Sequence, residues 1–570
     1  MNRFLGLGSD RVSGLFVWLL ALSAHAQEIP DSGTTKALLA ARQVGLEWVH
    51  VGGERDRKSL LVEENGSGVA LFDYDGDGDL DLYFVNGSRV EWMKDGIDTG
   101  QRPGNVLYRN DGDWNFVDVT VQAAVGDTGW GQGVAVGDVE GDGDLDLFVA
   151  NYGQDVFYEN RGDGRFEDAT GRMDFPSPGV GAPSWGAGAA FADFDSDGDL
   201  DLYVSRYLDL DLNDPPKEPC EYKGVSVACG PIGFPPQRDQ IYENRAGAFV
   251  EISASVGLTE TEPEFGLGVL AADLDFDGLP DVVVANDSGA NFLLKNVSRD
   301  SIRFEETAWL AGVATSQDGR FQAGMGVDAG DVDGDGIFDL FLTHFIDDHS
   351  TLYLGVGSSG APNLLFRDAS YPSGLGGPSR LRMAWGTRFF DADLDGDLDI
   401  YVGNGHLYPE VEVVHNETYA QPDQLFLGNG SGRFGDASSR VAGVEETVSR
   451  GVATGDLDGD GDLDVVVSQL DRAPLLLENR ADGAGWLRLD LGRIADLGTA
   501  RVVLEVTQAT QLRHAGTSGS YASASDPVIH FGLGDSGRTV SAEVWVGPRR
   551  LSRWHGLESN RTYVFRTSGR

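Results

Sequence analysis

The sequence predicts an all-β fold, a seven-bladed β-propeller over residues 27–482 followed by a small β-domain over residues 483–570. Two observations predict it. A nine-residue acidic string recurs seven times, and four short runs of β-branched and aromatic residues surround each copy. Four strands in a meander, repeated seven times, make a propeller. The strings begin at Asp73, Asp138, Asp193, Asp273, Asp331, Asp391 and Asp456, and they number the repeats from 1 to 7.

Each repeat shows the same order of predicted strands. In repeat 1 an apolar run over 68–72 ends at the acidic string, and a second run over 82–85 follows it. A third strand over 105–110 and a fourth over 116–120 complete the set. Repeat 7 has no matching fourth strand, whereas a strand-like segment over 46–51 precedes repeat 1. We therefore expect this segment to complete the last blade and close the ring, which removes an exposed edge.

The acidic strings have the spacing of a calcium loop. Carboxylates at positions 1, 3 and 5, a backbone carbonyl at position 7 and a carboxylate at position 9 can wrap a hard cation. Position 6, where the turn is sharpest, is glycine in all seven copies. Solvated acidic turns without metal are the alternative, but carboxylates packed together without a cation repel one another. All-oxygen ligands favour calcium, so we predict up to seven structural calcium ions.

The predicted ligands follow from these positions, with the longer Glu140 at position 3 of repeat 2 and backbone carbonyls at Leu279 and Ile337. They are Asp73, Asp75, Asp77, Asp79 and Asp81; Asp138, Glu140, Asp142, Asp144 and Asp146; Asp193, Asp195, Asp197, Asp199 and Asp201; Asp273, Asp275, Asp277, Leu279 and Asp281; Asp331, Asp333, Asp335, Ile337 and Asp339; Asp391, Asp393, Asp395, Asp397 and Asp399; Asp456, Asp458, Asp460, Asp462 and Asp464.

Charge and the N-terminus restrict the cellular setting. The chain carries 91 acidic and 43 basic residues, for a formal charge of −48, which argues against nucleic acid or an anionic membrane as partner. Residues 1–26 read as a signal peptide, with Arg3 and Arg11 before an apolar stretch over 15–22 and a small-residue cleavage site at 24–26. No other segment is long and apolar enough to span a membrane. We expect a secreted or periplasmic protein.

The chain has two cysteines, Cys220 and Cys229. An exported chain permits a disulfide between them, and the short loop it would close makes its stabilisation local. Their spacing fits neither a CxxC redox site nor a zinc site. We predict a disulfide-stapled lid in the proline-rich segment around them.

The face opposite the acidic loops is the predicted ligand face. The long insertions 86–104, 206–238 and 404–422 connect second to third strands, so they crowd that face, where binding residues are commonly found. The side chains either pack the rim of the channel or form a pocket for a sugar or peptide, with a second metal held by histidines as a further possibility. The predicted ligand-binding residues are Trp130, Trp185, Arg206, Tyr207, His344, His349, Trp385, His406 and Tyr408.

The acidic strings resemble the FG-GAP or VCBS repeats of integrin α-like propellers. Residues 485–489, the stretch GTSGSYASASDPVIHFGLG over 516–534 and the segment around Trp545 resemble an ASPIC/UnbV domain. The combination is similar to the cartilage acidic protein family and its bacterial relatives, and it covers nearly the whole mature chain. This resemblance implies an extracellular calcium-binding protein, but it does not imply a reaction.

Two functions are compatible with these features. The first is a secreted calcium-binding module that binds protein or glycan through the face opposite the loops. The second is a metal-dependent lyase or dehydratase acting on carbohydrate with the histidine-rich loops of repeats 5 and 6. The sequence has no nucleophile elbow, zinc-binding helix or phosphate loop, which favours the first.

Overall fold

The computed structural model describes residues 38–93, 102–175, 183–358, 363–414, 417–444, 446–493, 498–506, 509–534 and 540–565. The predicted signal peptide over 1–26 lies outside these ranges. The described residues form strands and loops with a few short helices, and they all belong to one compact unit. The all-β prediction is confirmed.

Repeats 1 to 6 each fold into a sheet of four antiparallel strands joined in chain order, as expected of propeller blades. The acidic string connects the first strand to the second. The second strands are apolar without alternation because both of their faces are buried. The strands are Val69–Phe72, Asp81–Phe84, Val106–Asn110 and Phe116–Asp118; Trp130–Gly137, Asp146–Tyr152, Val156–Asn160 and Phe166–Asp168; Gly186–Ala192, Asp201–Arg206, Gln240–Asn244 and Phe249–Glu251; Gly266–Ala272, Asp281–Asn286, Phe292–Asn296 and Phe304–Glu306; Gly324–Gly330, Asp339–His344, Thr351–Gly355 and Phe366–Asp368; Ala384–Phe390, Asp399–Asn404, Gln424–Gly428 and Phe434–Asp436.

The sheet of repeat 7 is completed from the start of the chain. Its own strands are Ser449–Gly455, Asp464–Gln469 and Leu475–Asn479. Leu39–Ala41 pairs antiparallel with the third of these, and Val441–Ala442 adds a parallel strand outside it. The prediction that a strand over 46–51 closes the ring is therefore wrong in position, although a closing strand from the N-terminal side exists.

The segment over 46–51 packs between the first and last repeats without pairing as a strand. The ring of Trp48 stacks on Phe84, with centroids 4.9 Å apart. The backbone N–H of Trp48 donates to the hydroxyl of Tyr108 at 3.1 Å, and that of His50 donates to the carbonyl of Arg472 at 3.2 Å. Because these donors are satisfied by a side chain and a loop, they are not available for a strand ladder.

The sheets lie side by side in the order of the repeats. First strands of consecutive repeats are in contact, and so are those of repeats 1 and 7. Apolar clusters fill the space between neighbouring sheets, as Phe341, Phe389, Ile400 and Phe426 do between repeats 5 and 6. Contact between the first and last repeats is what closure of a ring requires.

Short helical turns occur in the connections. They are Leu61–Glu63, Val90–Met93, Thr120–Ala123, Thr170–Arg172, Leu258–Glu260, Ala308–Ala311, Gly376–Ser379, Pro409–Val413 and Ser438–Arg440. None of the helices in the described part of the chain has the length and apolarity needed to span a membrane. The insertion of repeat 3 contains a hairpin of Cys220–Tyr222 and Val225–Val227.

Residues after repeat 7 form two further sheets that share one apolar core. In the first, Gly485–Asp490 lies between Ile529–Gly534 and Arg561–Val564. The second has the order Ala509–His514, Ala500–Val506, Val540–Val546 and Arg549–Leu557. Leu487, Val502, Phe531 and Ala542 are among the residues buried between them. We refer to these two sheets as the C-terminal β-domain.

Candidate metal loops and the opposite face

At least five of the acidic loops bring three carboxylates together. In each of these groups one ligand oxygen per residue lies within 4.8 Å of the other two, close enough for one ion to contact all three. Four groups join positions 1, 3 and 9, and the group in repeat 3 joins positions 1, 3 and 5. The groups are Asp73, Asp75 and Asp81; Asp193, Asp195 and Asp197; Asp273, Asp275 and Asp281; Asp331, Asp333 and Asp339; Asp391, Asp393 and Asp399.

Two left-handed backbone positions fold each loop into this shape. The glycine at position 6 has a φ between 82° and 104° in all seven repeats, as its presence predicted. Position 4 is also left-handed, with φ from 59° at Leu394 to 75° at Gly459. The sequence analysis did not identify position 4, although the glycine there in repeats 1, 2, 5 and 7 could have indicated a left-handed backbone.

The aspartate at position 9 anchors each loop to its own sheet. In repeat 1, Asp81 accepts the backbone N–H of Tyr74 at 2.9 Å with one oxygen and that of Asn110 at 2.8 Å with the other. Burial raises the pKa of Asp81 to about 8 and that of Asp201 to about 8. A divalent cation in the loop would keep these carboxylates ionised, because its charge offsets the loss of water.

Several loop oxygens are buried without a hydrogen-bond partner among the described residues. Such atoms ordinarily bind water or an ion, since an unpaired buried carboxylate oxygen is costly. Carboxylates in groups of three, with open lone pairs, are the ligands that calcium takes in proteins. The residues present therefore fit calcium. These oxygens are Oδ1 of Asp75, Asp273, Asp391, Asp393 and Asp462.

In five repeats an asparagine bonds to the acidic loop of the neighbouring repeat, a role that the sequence analysis missed. Asn160 ends the third strand of repeat 2, and its side-chain amide donates to the carbonyls of Leu145 at 3.1 Å and of Tyr74 in repeat 1 at 2.8 Å. Asn110 makes the corresponding bond to Leu457 of repeat 7 at 2.9 Å. The signal was the Asn that ends this strand in five repeats, where repeats 5 and 6 have glycine.

On the opposite face the nine predicted ligand-binding residues are buried, at 6% exposure or less. The structure thus differs from the expected open pocket, because the insertions of repeats 3 and 6 fold over the channel mouth and exclude water. Arg206 forms an ion pair with Asp155 at 2.5 Å. The tryptophans pack in one apolar cluster, as the rim-packing interpretation expected. That cluster also contains Tyr207, Leu208, Leu210, Tyr408, Val411 and Tyr521.

Of the three predicted histidines, His344 is buried without a hydrogen bond from its ring among the described residues, and the other two lie against different carboxylates. Nε2 of His349 lies 3.9 Å from Oδ2 of Asp368, and Nε2 of His406 lies 3.6 Å from Oε2 of Glu417. Nδ1 of His406 accepts the backbone N–H of Tyr408 at 3.0 Å, and burial lowers the pKa of this histidine to about 3. Each of the two therefore faces one carboxylate.

The disulfide between Cys220 and Cys229 is present and closes the hairpin of repeat 3. The hairpin reaches across to repeats 5 and 6. Nζ of Lys223 lies 2.6 Å from Asp347 and 2.5 Å from Glu417. The ring of Tyr222 lies against His406, with centroids 5.6 Å apart. The predicted lid is thus held over the channel mouth by an ion-pair network and an aromatic contact.

Residues 516–526 of the C-terminal β-domain, here called the axial segment, run between the first strands of the repeats. Five hydroxyl side chains of this segment bond to backbone atoms of five different first strands. A Cβ on Gly68 would lie 1.6 Å from the carbonyl oxygen of Ala522, so only glycine permits this approach. The hydroxyls belong to Thr517, Ser518, Ser520, Ser523 and Ser525, and their partners are Val136, Ala271, Thr387, Val69 and Thr454.

The rest of the C-terminal β-domain lies against the acidic loops. Arg493 donates to the carbonyl of Gly198 in repeat 3 at 2.5 Å. The backbone N–H of Gly532 donates to Asp391 in repeat 6 at 3.0 Å, and the carbonyl of Gly498 accepts the N–H of Asp273 in repeat 4 at 2.9 Å. The sequence analysis did not identify these individual contacts. They cover part of the loop face and leave the insertion-bearing face opposite.

Comparison with known proteins agrees with this organisation. The model of the FG-GAP-like repeat matches residues 73–149, 138–204, 273–342 and 404–467, and that of ASPIC and UnbV matches 496–570. Relatives named cartilage acidic protein 1 are 25% identical in Mus musculus, over 85% of this chain and 71% of theirs. The Homo sapiens protein is 25% identical over 85% and 69%, and the Xenopus tropicalis protein 24% over 85% and 71%.

Solved structures show more distant likenesses. One is of an Agrocybe aegerita protein in a study of recognition of non-reducing terminal N-acetylglucosamine, with 16% identity and a TM-score of 0.38 over 65% of this chain and 79% of that one. Another is the extracellular domain of a hybrid two component system from B. thetaiotaomicron, with 7% identity and a TM-score of 0.38 over 92% and 57%. The chain consists of FG-GAP repeats followed by an ASPIC and UnbV domain, and it is homologous to cartilage acidic protein 1 over 85% of its length.

Proposed function

We propose that this chain is a secreted, calcium-stabilised, seven-bladed β-propeller over 27–482, with a C-terminal domain over 483–570. It acts as an extracellular module that binds a protein or glycan through the face opposite the acidic loops. The observation that carries the proposal is the repeated grouping of three carboxylates within 4.8 Å. A calcium ion in each such loop would stabilise the folded state, because the unfolded chain has no preformed site.

We choose the face opposite the acidic loops because the C-terminal β-domain covers part of the loop face. The C-terminal β-domain contacts loops of repeats 3, 4, 6 and 7, and the axial segment lies among the first strands. The opposite face carries the insertions, where Ile232 and Val413 are 78% and 81% exposed. Exposed apolar side chains on stapled loops are suited to a partner surface. Because the nine predicted residues are buried, we place the proposed partner surface on the outside of the lid and not at the channel mouth.

Secretion is supported by the disulfide, which persists in oxidising compartments, and by the homology to a cartilage protein. Binding is preferred over metal-dependent catalysis because His349 and His406 face different carboxylates. A lyase or dehydratase site built from these loops would need them around one substrate.

The experiment is thermal unfolding of the mature protein in calcium and in chelator, with calcium counted on the same sample. We expect several calcium ions per chain and a fall in the unfolding midpoint of about 5 °C or more on chelation, since each well-occupied site adds about 2 to 3 kcal/mol. A protein that binds no calcium and unfolds at the same midpoint in both buffers would contradict the proposal.

A further inference from the structure

The acidic loop of repeat 4 contains a cation supplied by the protein itself. Lys295 lies on the third strand of that repeat, and its Nζ is bonded to Oδ2 of Asp275 at position 3 of the loop. The same Nζ is 3.8 Å from Oδ2 of Asp277 at position 5. The ammonium therefore contacts two of the carboxylates that would ligate calcium.

A second cation lies beside the same loop. Arg501 of the C-terminal β-domain stacks its guanidinium 3.9 Å above the ring of Phe276, which is position 4 of the loop. Burial raises the pKa of Asp273 at position 1 to about 7, and the nearby charge of Arg501 opposes this rise. Two positive charges thus face four carboxylates, whereas the loop of repeat 1 has five aspartates.

No other repeat has a lysine at the position of Lys295. The repeat 1 equivalent, Arg109, forms its ion pair with Asp111 outside the loop at 2.7 Å, and only its longer-range charge reaches Asp75 at position 3. The remaining repeats carry glutamate or leucine there, at Glu159, Glu243, Leu354, Leu427 and Glu478. The contact in repeat 4 is therefore a property of this residue and not of the fold.

We propose that Lys295 is the built-in counter-cation of the repeat 4 loop, which keeps its shape without calcium and binds calcium more weakly than the loop of repeat 1. The inference rests on the proposed calcium function. An ammonium a few ångströms from the centre of the loop repels a divalent ion, so calcium binds only after the side chain moves away. That movement is feasible because Lys295 is on a flexible stem and partly exposed, but it gives up the ion pair.

The test counts calcium on the full mature chain after dialysis against a series of free calcium concentrations from about 0.1 to 10 mM, which spans the range from partial to full occupancy of extracellular sites. We expect Lys295→Met to hold one more calcium ion per chain than the wild type, and its repeat 4 affinity to rise about tenfold or more. The matched control Arg109→Met should gain none. In the chain that keeps Lys295, Asp275→Asn should leave the number of bound calcium ions unchanged. Asp75→Asn in repeat 1 should lower that number by one.

Thermal unfolding gives a second readout. The midpoint of Lys295→Met should fall below that of the wild type in chelator and return to it in saturating calcium. An unchanged count for Lys295→Met, or the loss of one calcium ion in Asp275→Asn, would overturn the role of Lys295 while leaving calcium binding intact. If the midpoint of Lys295→Met fell equally in chelator and in calcium, Lys295 would stabilise the protein only through packing. A wild type without bound calcium would instead overturn the proposed function together with this inference.

Discussion

Arg488 of the C-terminal β-domain donates from Nη1 to Oδ2 of Asp456, the first residue of the repeat 7 loop, at 2.8 Å. Its Nη2 donates to Oδ2 of Asp526 at the end of the axial segment at 3.1 Å. One guanidinium therefore joins an acidic loop, the axial segment and the β-domain. Because Asp456 is buried, the pair is screened little by solvent.

Replacing Arg488 with Gln should lower the free energy of unfolding by about 3 kcal/mol, because it leaves a buried carboxylate without its partner. Urea unfolding measures this. Arg561→Gln is the control, since Arg561 forms an exposed pair with Glu558 and should change stability by less than about 1 kcal/mol. Equal effects of the two substitutions would show that Arg488 does not hold the β-domain in place.

Replacing Tyr521 with Ala tests the axial segment. The buried Tyr521 ring packs edge-on against Trp385 at 4.9 Å, and its hydroxyl donates to the carbonyl of Asn65 at 3.1 Å. We expect a loss of about 3 to 5 kcal/mol, as for other large buried aromatics. The exposed Tyr371 provides the matched control in Tyr371→Ala. A small loss at Tyr521, comparable with that control, would contradict the placement of the segment among the first strands.

Replacing Asn160 with Ala should destabilise the protein by about 2 to 3 kcal/mol, because two buried carbonyls, of Tyr74 and Leu145, lose their donor. Urea unfolding again provides the measurement, with the exposed Asn213→Ala as control. If the asparagine amides do not join neighbouring repeats, both variants will unfold at the same urea concentration.

His406→Asn tests the pH dependence of the lid region. Burial lowers the pKa of His406 to about 3, below the 6.5 of an exposed histidine. Between these values the unfolded chain binds a proton that the folded one does not, so this histidine makes stability fall as the pH decreases from 6.5 toward 3. Asn can still accept the Tyr408 N–H without titrating.

We therefore expect the stability of the wild type relative to His406→Asn to decrease by about 3 kcal/mol between pH 7 and pH 4. Urea unfolding of both proteins at the two pH values measures it, and carboxylate titrations common to both cancel in the difference. The exposed His555→Asn should show no such change. A pH-independent difference for His406→Asn would mean that His406 binds protons in the folded protein as it does in the unfolded chain.

Much of this architecture could be predicted because it repeats. Apolar and β-branched strand runs, the acidic strings and the position 6 glycine recur seven times, so local chemistry identifies the sheets and the loops. The closing strand Leu39–Ala41 could not be found this way, because it has no β-branched residue, whereas the segment around Trp48 has the composition of a strand.

The burial of the predicted ligand-binding residues could not be predicted for a different reason. Trp130, Trp385 and Tyr408 lie in one apolar cluster, but their burial depends on insertions distant in the chain. The axial segment is rich in serine, glycine and alanine, which is also the composition of a flexible linker. Its placement follows from close backbone approach at glycines such as Gly68, which a single sequence does not reveal.

The axial segment has a consequence for how the protein is made. The sheet of repeat 7 needs Leu39–Ala41, from the start of the chain, and the first strands need Thr517 to Ser525, which are synthesised near its end. A nascent chain that has emerged only as far as repeat 7 lacks the hydroxyls that satisfy the backbone of the first strands. The native arrangement of the first strands therefore forms only after Thr517 to Ser525 have been synthesised, and a chain truncated before residue 517 lacks these contacts.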